Sequence, residues 1–208
     1  MAIPTRPPLF RQRTARIFSL RDDFLQGKVS GFAWFLLPAV THNVYCPLVQ
    51  TDCSVKLDQL ITLDRVGFVA PTEALNKEES LWRLATLLAR GLNVPAGRIA
   101  AILAEREAVQ STGIGDGVAI PHGTLEGAPG QIGAVLLCPG GVAFDSIDDL
   151  PARLLFGVVG PRQAVEHLKI LARVSRLLRS ATFRDRLLAE QDPSSAFNLL
   201  HNEDVLVG

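Results

Sequence analysis

Between Asn76 and Gly91, Leu81, Leu84, Leu87 and Leu88 recur at the spacing that gathers side chains on one face of an α-helix. Asn76 and Glu79 stand three apart ahead of the run, so each can satisfy the other's backbone N–H as a capping box, although asparagine replaces the usual serine or threonine. A second helix is predicted from about Pro95 to Glu105, with Ile99, Ile102 and Leu103 on one face and Arg106 at or just past its C-terminus. Two continuous apolar runs, Ile132 to Leu137 and Leu154 to Val159, are bounded by glycine and proline and read as buried strands. After Pro161 the register of Ala164, Leu168, Leu171, Ser175 and Leu178 predicts the longest helix, roughly Gln163 to Arg179, with His167 in its first turn. Two shorter helices follow, around Phe183 to Glu190 and Ser194 to His201. Helices alternating with short buried strands argue for an α/β sandwich.

One stretch departs from these periods. In Gly113-Ile-Gly-Asp-Gly-Val-Ala-Ile-Pro-His122-Gly, three glycines at alternate positions free the backbone for turns, Val118 to Ile120 reads as a short buried strand, and Pro121 fixes the dihedral before His122. The imidazole is expected at a strand end, near solvent. No Lys-Ser or Lys-Thr follows, and the glycines do not make G-x-G-x-x-G, so neither nucleotide-binding motif is present. Taken alone, the stretch suits either a structural histidine after a glycine-rich turn or a presented nucleophile.

Composition narrows the classes. The 208 residues are 48% hydrophobic, enough for one packed domain with an appendage rather than two full domains. Lys and Arg number 21 and so do Asp and Glu, so no global field favours nucleic acid or an anionic membrane. Three widely spaced cysteines, Cys46, Cys53 and Cys138, fit a reduced compartment without disulfides or a zinc site, with Cys138 expected in the core. Residues 1–28 carry six basic and two acidic side chains and no sustained period, and residues 1–54 are expected to be a poorly ordered N-terminal extension. The apolar run Phe32 to Val40 is nine residues long and broken by Pro38, well short of the roughly 20 a membrane helix needs. A secretory signal fits poorly, and the chain is expected to be cytoplasmic.

Upstream of the glycine block lies Arg106-Glu-Ala-Val-Gln-Ser111-Thr112. All of Arg106 to Gly123 resembles the active-site signature of the phosphotransferase-system enzyme IIA proteins of the fructose, mannitol and nitrogen-regulatory type, close to R-E-x-x-x-S-T-G-I-G-x-G-V-A-I-P-H-G. The resemblance runs from about Val55 to Leu206 and includes a second family histidine in Glu166-His167-Leu-Lys-Ile-Leu171. It implies a small mixed β-sheet flanked by helices over residues 55–208. It also implies that His122 carries a phosphoryl group on Nε2, with His167 in support. Enzyme IIA chains of this type often open with Met-x-Leu-x-x-Leu; Val55-Lys-Leu57-Asp-Gln-Leu60 has that form if a GTG codon initiates translation, and the extension would then be a mis-assigned start.

The residue types suit the chemistry. Imidazole, with an ordinary pKa near 6.5, offers a neutral ring nitrogen at neutral pH, and arginine's planar fork pairs with phosphate oxygens, which makes Arg106 the candidate clamp. Ser111 and Thr112 could add hydroxyl donors, and backbone amides around Gly113 and Gly123 could add more. Each has a plainer reading: Arg106 as a helix C-cap, Ser111 and Thr112 as turn formers, His167 as a packed core histidine. His42 and His201 lack such company. The favoured function is a phosphoryl carrier and regulator of a nitrogen-type phosphotransferase system. Its donor would be an HPr-like phosphocarrier, and its outputs regulatory protein targets or an enzyme IIB. No cofactor or metal is expected. A sugar-transport enzyme IIA and a non-phosphorylating binding module are the alternatives. A metal-dependent hydrolase using His122 and His167 is remote, because neither H-x-x-x-H nor H-E-x-x-H occurs.

Overall fold

The structure, a computed structural model, describes residues 57–207. Expectations for the 1–54 extension, the Val55 start, the Phe32 to Val40 run, His42, Cys46 and Cys53 lie outside the described residues. In chain order the elements are α1 (Leu57–Leu60), a 3-10 turn (Leu63–Arg65), β1 (Val66–Phe68), α2 (Lys77–Ala89), α3 (Ala96–Val109), β2 (Gly113–Gly115), β3 (Val118–Ala119), β4 (His122–Thr124), β5 (Ile132–Val142), β6 (Ala152–Gly160), α4 (Ala164–Leu177), α5 (Ala181–Ala189) and α6 (Pro193–Val207).

The two continuous apolar runs become neighbours, β5 and β6 pairing antiparallel with Val135 opposite Phe156 and Leu137 opposite Leu154. Alternation then splits each run between two cores. Val135, Leu137, Leu154, Phe156 and Val158 face one cluster with α1, α4, α5 and α6. On the other face Ala134, Leu136, Cys138, Leu155 and Val159 meet α2 and α3. A sheet covered on both faces is why no polar alternation shows in the sequence. The sheet is mixed, in the order β1-β5-β6-β3-β2, with β4 also on β6. β1 runs parallel to β5, β2 antiparallel to β3, and β3 and β4 both run parallel to β6.

Helix α2 starts as expected: Asn76 Oδ1 accepts from Glu79 N–H at 2.8 Å, and Glu79 Oε2 accepts from Asn76 N–H at 2.9 Å. Helix α3 runs one turn further than expected, through the good helix formers Ala104 to Ala108, so Arg106 stands in its last turn rather than at or past its end. The register expected for α4 is corrected too. Leu178 is buried and Leu171 packs on the core as expected, but Ile170, Val174 and Leu177 complete the inner face, and Leu168 is 65% exposed beside the exposed Val165. At 14 residues α4 is also not the longest helix; α6 has 15. Arg173 and Asp204 pair at 2.6 Å in the interior, and Asp204 Oδ2 accepts from Leu57 N–H at 2.9 Å, which fastens α6 to α4 and α1. β5 continues beyond Leu137 to Val142 with an irregular register, and β1, β2 and β4 have no counterpart in the apolar pattern.

Cys138 is buried as expected, and burial pushes its thiol up to about 12. Among the described residues no helix is long and apolar enough to cross a membrane. Phe156, fully buried where the two apolar runs meet, tests this core. Phe156→Ala is expected to cost about 3–5 kcal/mol of unfolding free energy by chemical denaturation; a loss within about 0.5 kcal/mol, the range of surface changes, would contradict the assignment.

Candidate functional site

β3 and β4 lie end to end along β6, Val118 and Ala119 against Leu154 and Leu155, then His122 to Thr124 against Val158 to Gly160. Ile120 and Pro121 bridge them, and Pro121, which has no N–H of its own, still accepts from Val158 N–H at 3.0 Å. β2 turns back antiparallel to β3 through Gly115, Asp116 and Gly117, all at positive φ (90, 55 and 75°), a path that favours glycine at two of the three positions. His122 thus starts a strand at the end of the sheet, half-buried, as the sequence implies.

Two fixed neighbours set its protonation. Nδ1 lies 2.8 Å from the Ile120 carbonyl, which only accepts, so Nδ1 carries the proton. Arg106 Nε, which only donates, reaches Nε2 at 3.2 Å, so Nε2 carries the lone pair. Burial lowers the pKa of the ring below the usual imidazole range; the Ile120 hydrogen bond opposes this, the Arg106 charge adds to it, and Glu107 opposes it. The folded ring therefore stays neutral to lower pH than an exposed one. Linkage gives the sign: the unfolded chain takes up the proton first, so this contribution to stability declines as pH falls through the ordinary imidazole range.

Arg106 also fits its plainer reading, since Nη1 donates to the Gln110 carbonyl at 2.9 Å, closing the C-terminus of α3. His167, in the first turn of α4, stands with its ring centroid 5.5 Å from that of His122 and tilted by 52°. Its pKa is lowered as well, by burial and by His122. The structure thus brings His122, Arg106 and His167 together.

Ser111 and Thr112 bond within the loop. Ser111 Oγ donates to the Phe144 carbonyl at 2.7 Å, and Thr112 donates to Glu107 Oε2 through Oγ1 at 2.5 Å and N–H at 2.9 Å. Gly113 packs under Ser146, whose Oγ would lie 2.5 Å from any added Cβ, and a side chain at Gly123 would run into Ile102. His201 stacks on Phe197 with centroids 6.5 Å apart. Among the described residues no group of three or more His, Cys, Asp or Glu could hold a metal ion.

Three contributors carry no role in the sequence reading. Glu107, 8% exposed, receives Lys77 Nζ at 2.6 Å; burial works against its charge, but Lys77 and the Thr112 donors outweigh it and hold the carboxyl below its usual range. Lys77 also bonds Asp145 at 3.0 Å and lies 4.9 Å from the centroid of the Phe144 ring, tying α2 to the loop after β5. Gln131 accepts from His167 Nδ1 at 3.0 Å. Glu107 was visible as the second letter of the Arg-Glu motif; Lys77 and Gln131 lie outside any motif.

Fold and site together define an α/β domain with a half-buried histidine that faces an arginine and a second histidine. The phosphoenolpyruvate-dependent sugar phosphotransferase system EIIA 2 family matches residues 61–203, and the chain belongs to it. It is 35% identical over 148 residues to the nitrogen regulatory protein of Pseudomonas aeruginosa, covering 70% of this chain and 95% of that one. To the fructose-specific EIIA component of Haloferax volcanii it is 36% identical over 116 residues, 52% of this chain and 75% of the relative. The crystal structure of the nitrogen regulatory protein IIA-Ntr from Neisseria meningitidis superposes with a TM-score of 0.64 at 27% identity, covering 69% of this chain and 98% of that one.

In an NMR titration the His122 ring is expected to protonate below the ordinary value of about 6.5. Arg106→Gln, which removes a facing cation, is expected to raise that midpoint. A midpoint at or above the ordinary value in the unchanged chain would contradict the buried, arginine-facing ring.

Proposed function

We propose that the chain is a phosphoryl carrier of the nitrogen-regulatory kind, taking a phosphoryl group onto His122 Nε2 from the phosphohistidine of an HPr-like donor. The observation that carries this is the tautomer: the Ile120 carbonyl holds the proton at Nδ1 and turns the nucleophilic lone pair to Nε2. The donor's N–P bond breaks as the Nε2–P bond forms. The donor leaves as a neutral imidazole with its own ring proton, and His122 keeps its Nδ1 proton on Ile120. Exchange between like nitrogens needs little driving force, so the protein's task is alignment and charge compensation. Arg106 Nε–H, which caps the lone pair at rest, passes to a phosphoryl oxygen as the group arrives. Ser111 and Thr112 hold the loop through Phe144 and Glu107 and act on the phosphate through its position.

Val165 and Leu168, 70% and 65% exposed, flank His167 on the solvent stripe of α4, and Ile114 and Ile147 are exposed on β2 and on the loop bonded to it. Apolar side chains beside a charged site suit docking of a protein donor or acceptor. Phosphorylation then places about two negative charges within that surface, which is how the state is reported to partners. Similarity to nitrogen regulatory proteins supports the regulatory output; the fructose-specific relative supports sugar transport, through an enzyme IIB, as the second reading.

Incubation with the phosphoenolpyruvate-driven donor chain, followed by intact mass measurement at mildly alkaline pH, tests the proposal. One acid-labile phosphate is expected, absent in His122→Ala, with His167→Ala slowed on the order of tenfold or more, the weight of one charge-assisted hydrogen bond. No transfer to the intact chain would leave a binding module in place of a carrier.

A further inference from the structure

Gln131 immediately precedes β5, and its residue is 6% exposed. Its amide makes two contacts that fix its orientation. Nε2 donates to the Pro161 carbonyl at 3.1 Å, a group that can only accept, so Oε1 is the atom turned to His167 Nδ1 at 3.0 Å. Gly160, the last residue of β6, makes room for this, because a side chain there would run into the Gln131 amide. With Oε1 accepting, the His167 proton must sit on Nδ1. In water a histidine ring carries its proton mainly on Nε2, so Gln131 imposes the less common form. Neutral His167 then offers only a lone pair at Nε2, which repels a phosphoryl dianion.

We propose that Gln131 is a positioning residue that makes His167 respond to phosphate by taking up a proton: held as the Nδ1–H tautomer, His167 becomes a donor to a phosphoryl group on His122 only when Nε2 is protonated from solvent. The inference rests on His122 being the carrier. The proton enters Nε2 as the dianion arrives and returns to solvent when the phosphoryl group leaves; no bond of the transfer itself involves it. The groups facing the ring are His122 on β4 and, behind it, Arg106 and Glu107 on α3. Along the chain Arg162, Glu166 and Lys169 flank it, while Gln131 and Pro161 carry no charge. Burial and His122 keep the unphosphorylated ring below the usual imidazole range, and about two negative charges arriving beside it act in the opposite direction.

Long-range 1H–15N spectra of the full chain, before and after phosphorylation, test this together with the pH profile of transfer. At pH 7 the unphosphorylated His167 ring is expected as Nδ1–H in the unchanged chain and as Nε2–H in Gln131→Leu. Gln131→Glu, whose carboxylate accepts from the same Nδ1–H, is expected to keep the tautomer and raise the His167 midpoint. After phosphorylation both ring nitrogens of the unchanged chain are expected to be protonated. Transfer should then fall at alkaline pH toward tenfold per pH unit, the limit for one proton, and Gln131→Leu should flatten that limb. An Nε2–H tautomer in a chain that takes up phosphate, or a tautomer unmoved by Gln131→Leu, overturns the role of Gln131 alone. A chain that shows Nδ1–H but takes no phosphate overturns the carrier reading and the coupling with it.

Discussion

A carbonyl two residues upstream takes the Nδ1 proton of His122 at 2.8 Å, and the placement of the ring's lone pair at Nε2 follows from that one bond. For the carbonyl of Ile120 to be there, β3 and β4 must lie end to end along β6 with Pro121 between them. For β6 to hold them, its apolar side chains must be locked between two helical layers, which the paired runs of β5 and β6 achieve. The sandwich is in this sense a device for placing one backbone oxygen beneath one imidazole.

Around that bond the site separates its tasks. Arg106, fixed at the end of α3 by its contact to Gln110, faces the lone pair and adds to the neutralising effect of burial on the ring. Glu107, the next residue, turns the other way into the interior, where Lys77 and Thr112 absorb its charge and stiffen the loop that leads into the glycine block. On the far side, Gln131 does for His167 what Ile120 does for His122, so both rings carry their protons at Nδ1.

The paired strands, the capping box of α2, the buried Cys138 and the placement of His122, Arg106 and His167 in one site were legible because each leaves a local pattern: a period, a spacing, or a motif shared with a family. What escaped has tertiary causes. β2 and β4 are three residues each and glycine-bearing, with no periodicity to reveal them. The inner face of α4 could not be chosen from spacing alone, because Leu168 and Ile170 each begin an apolar stripe and only the sheet decides between them. The acceptor of Ser111 is the Phe144 carbonyl, 33 positions away, which no local pattern reveals. Lys77 and Gln131 lie 30 and 36 positions from Glu107 and His167, distances over which a sequence carries no pairing rule.

The central claim is that the Ile120 bond makes Nε2 of His122 the atom that carries phosphate. Correlating 31P with the 15N nuclei of the imidazole in the freshly phosphorylated, selectively labelled chain addresses it directly. Coupling of the phosphorus to Nε2 of His122, with Nδ1 still protonated, is the expected result. Coupling to Nδ1, or to either nitrogen of His167, would contradict the account.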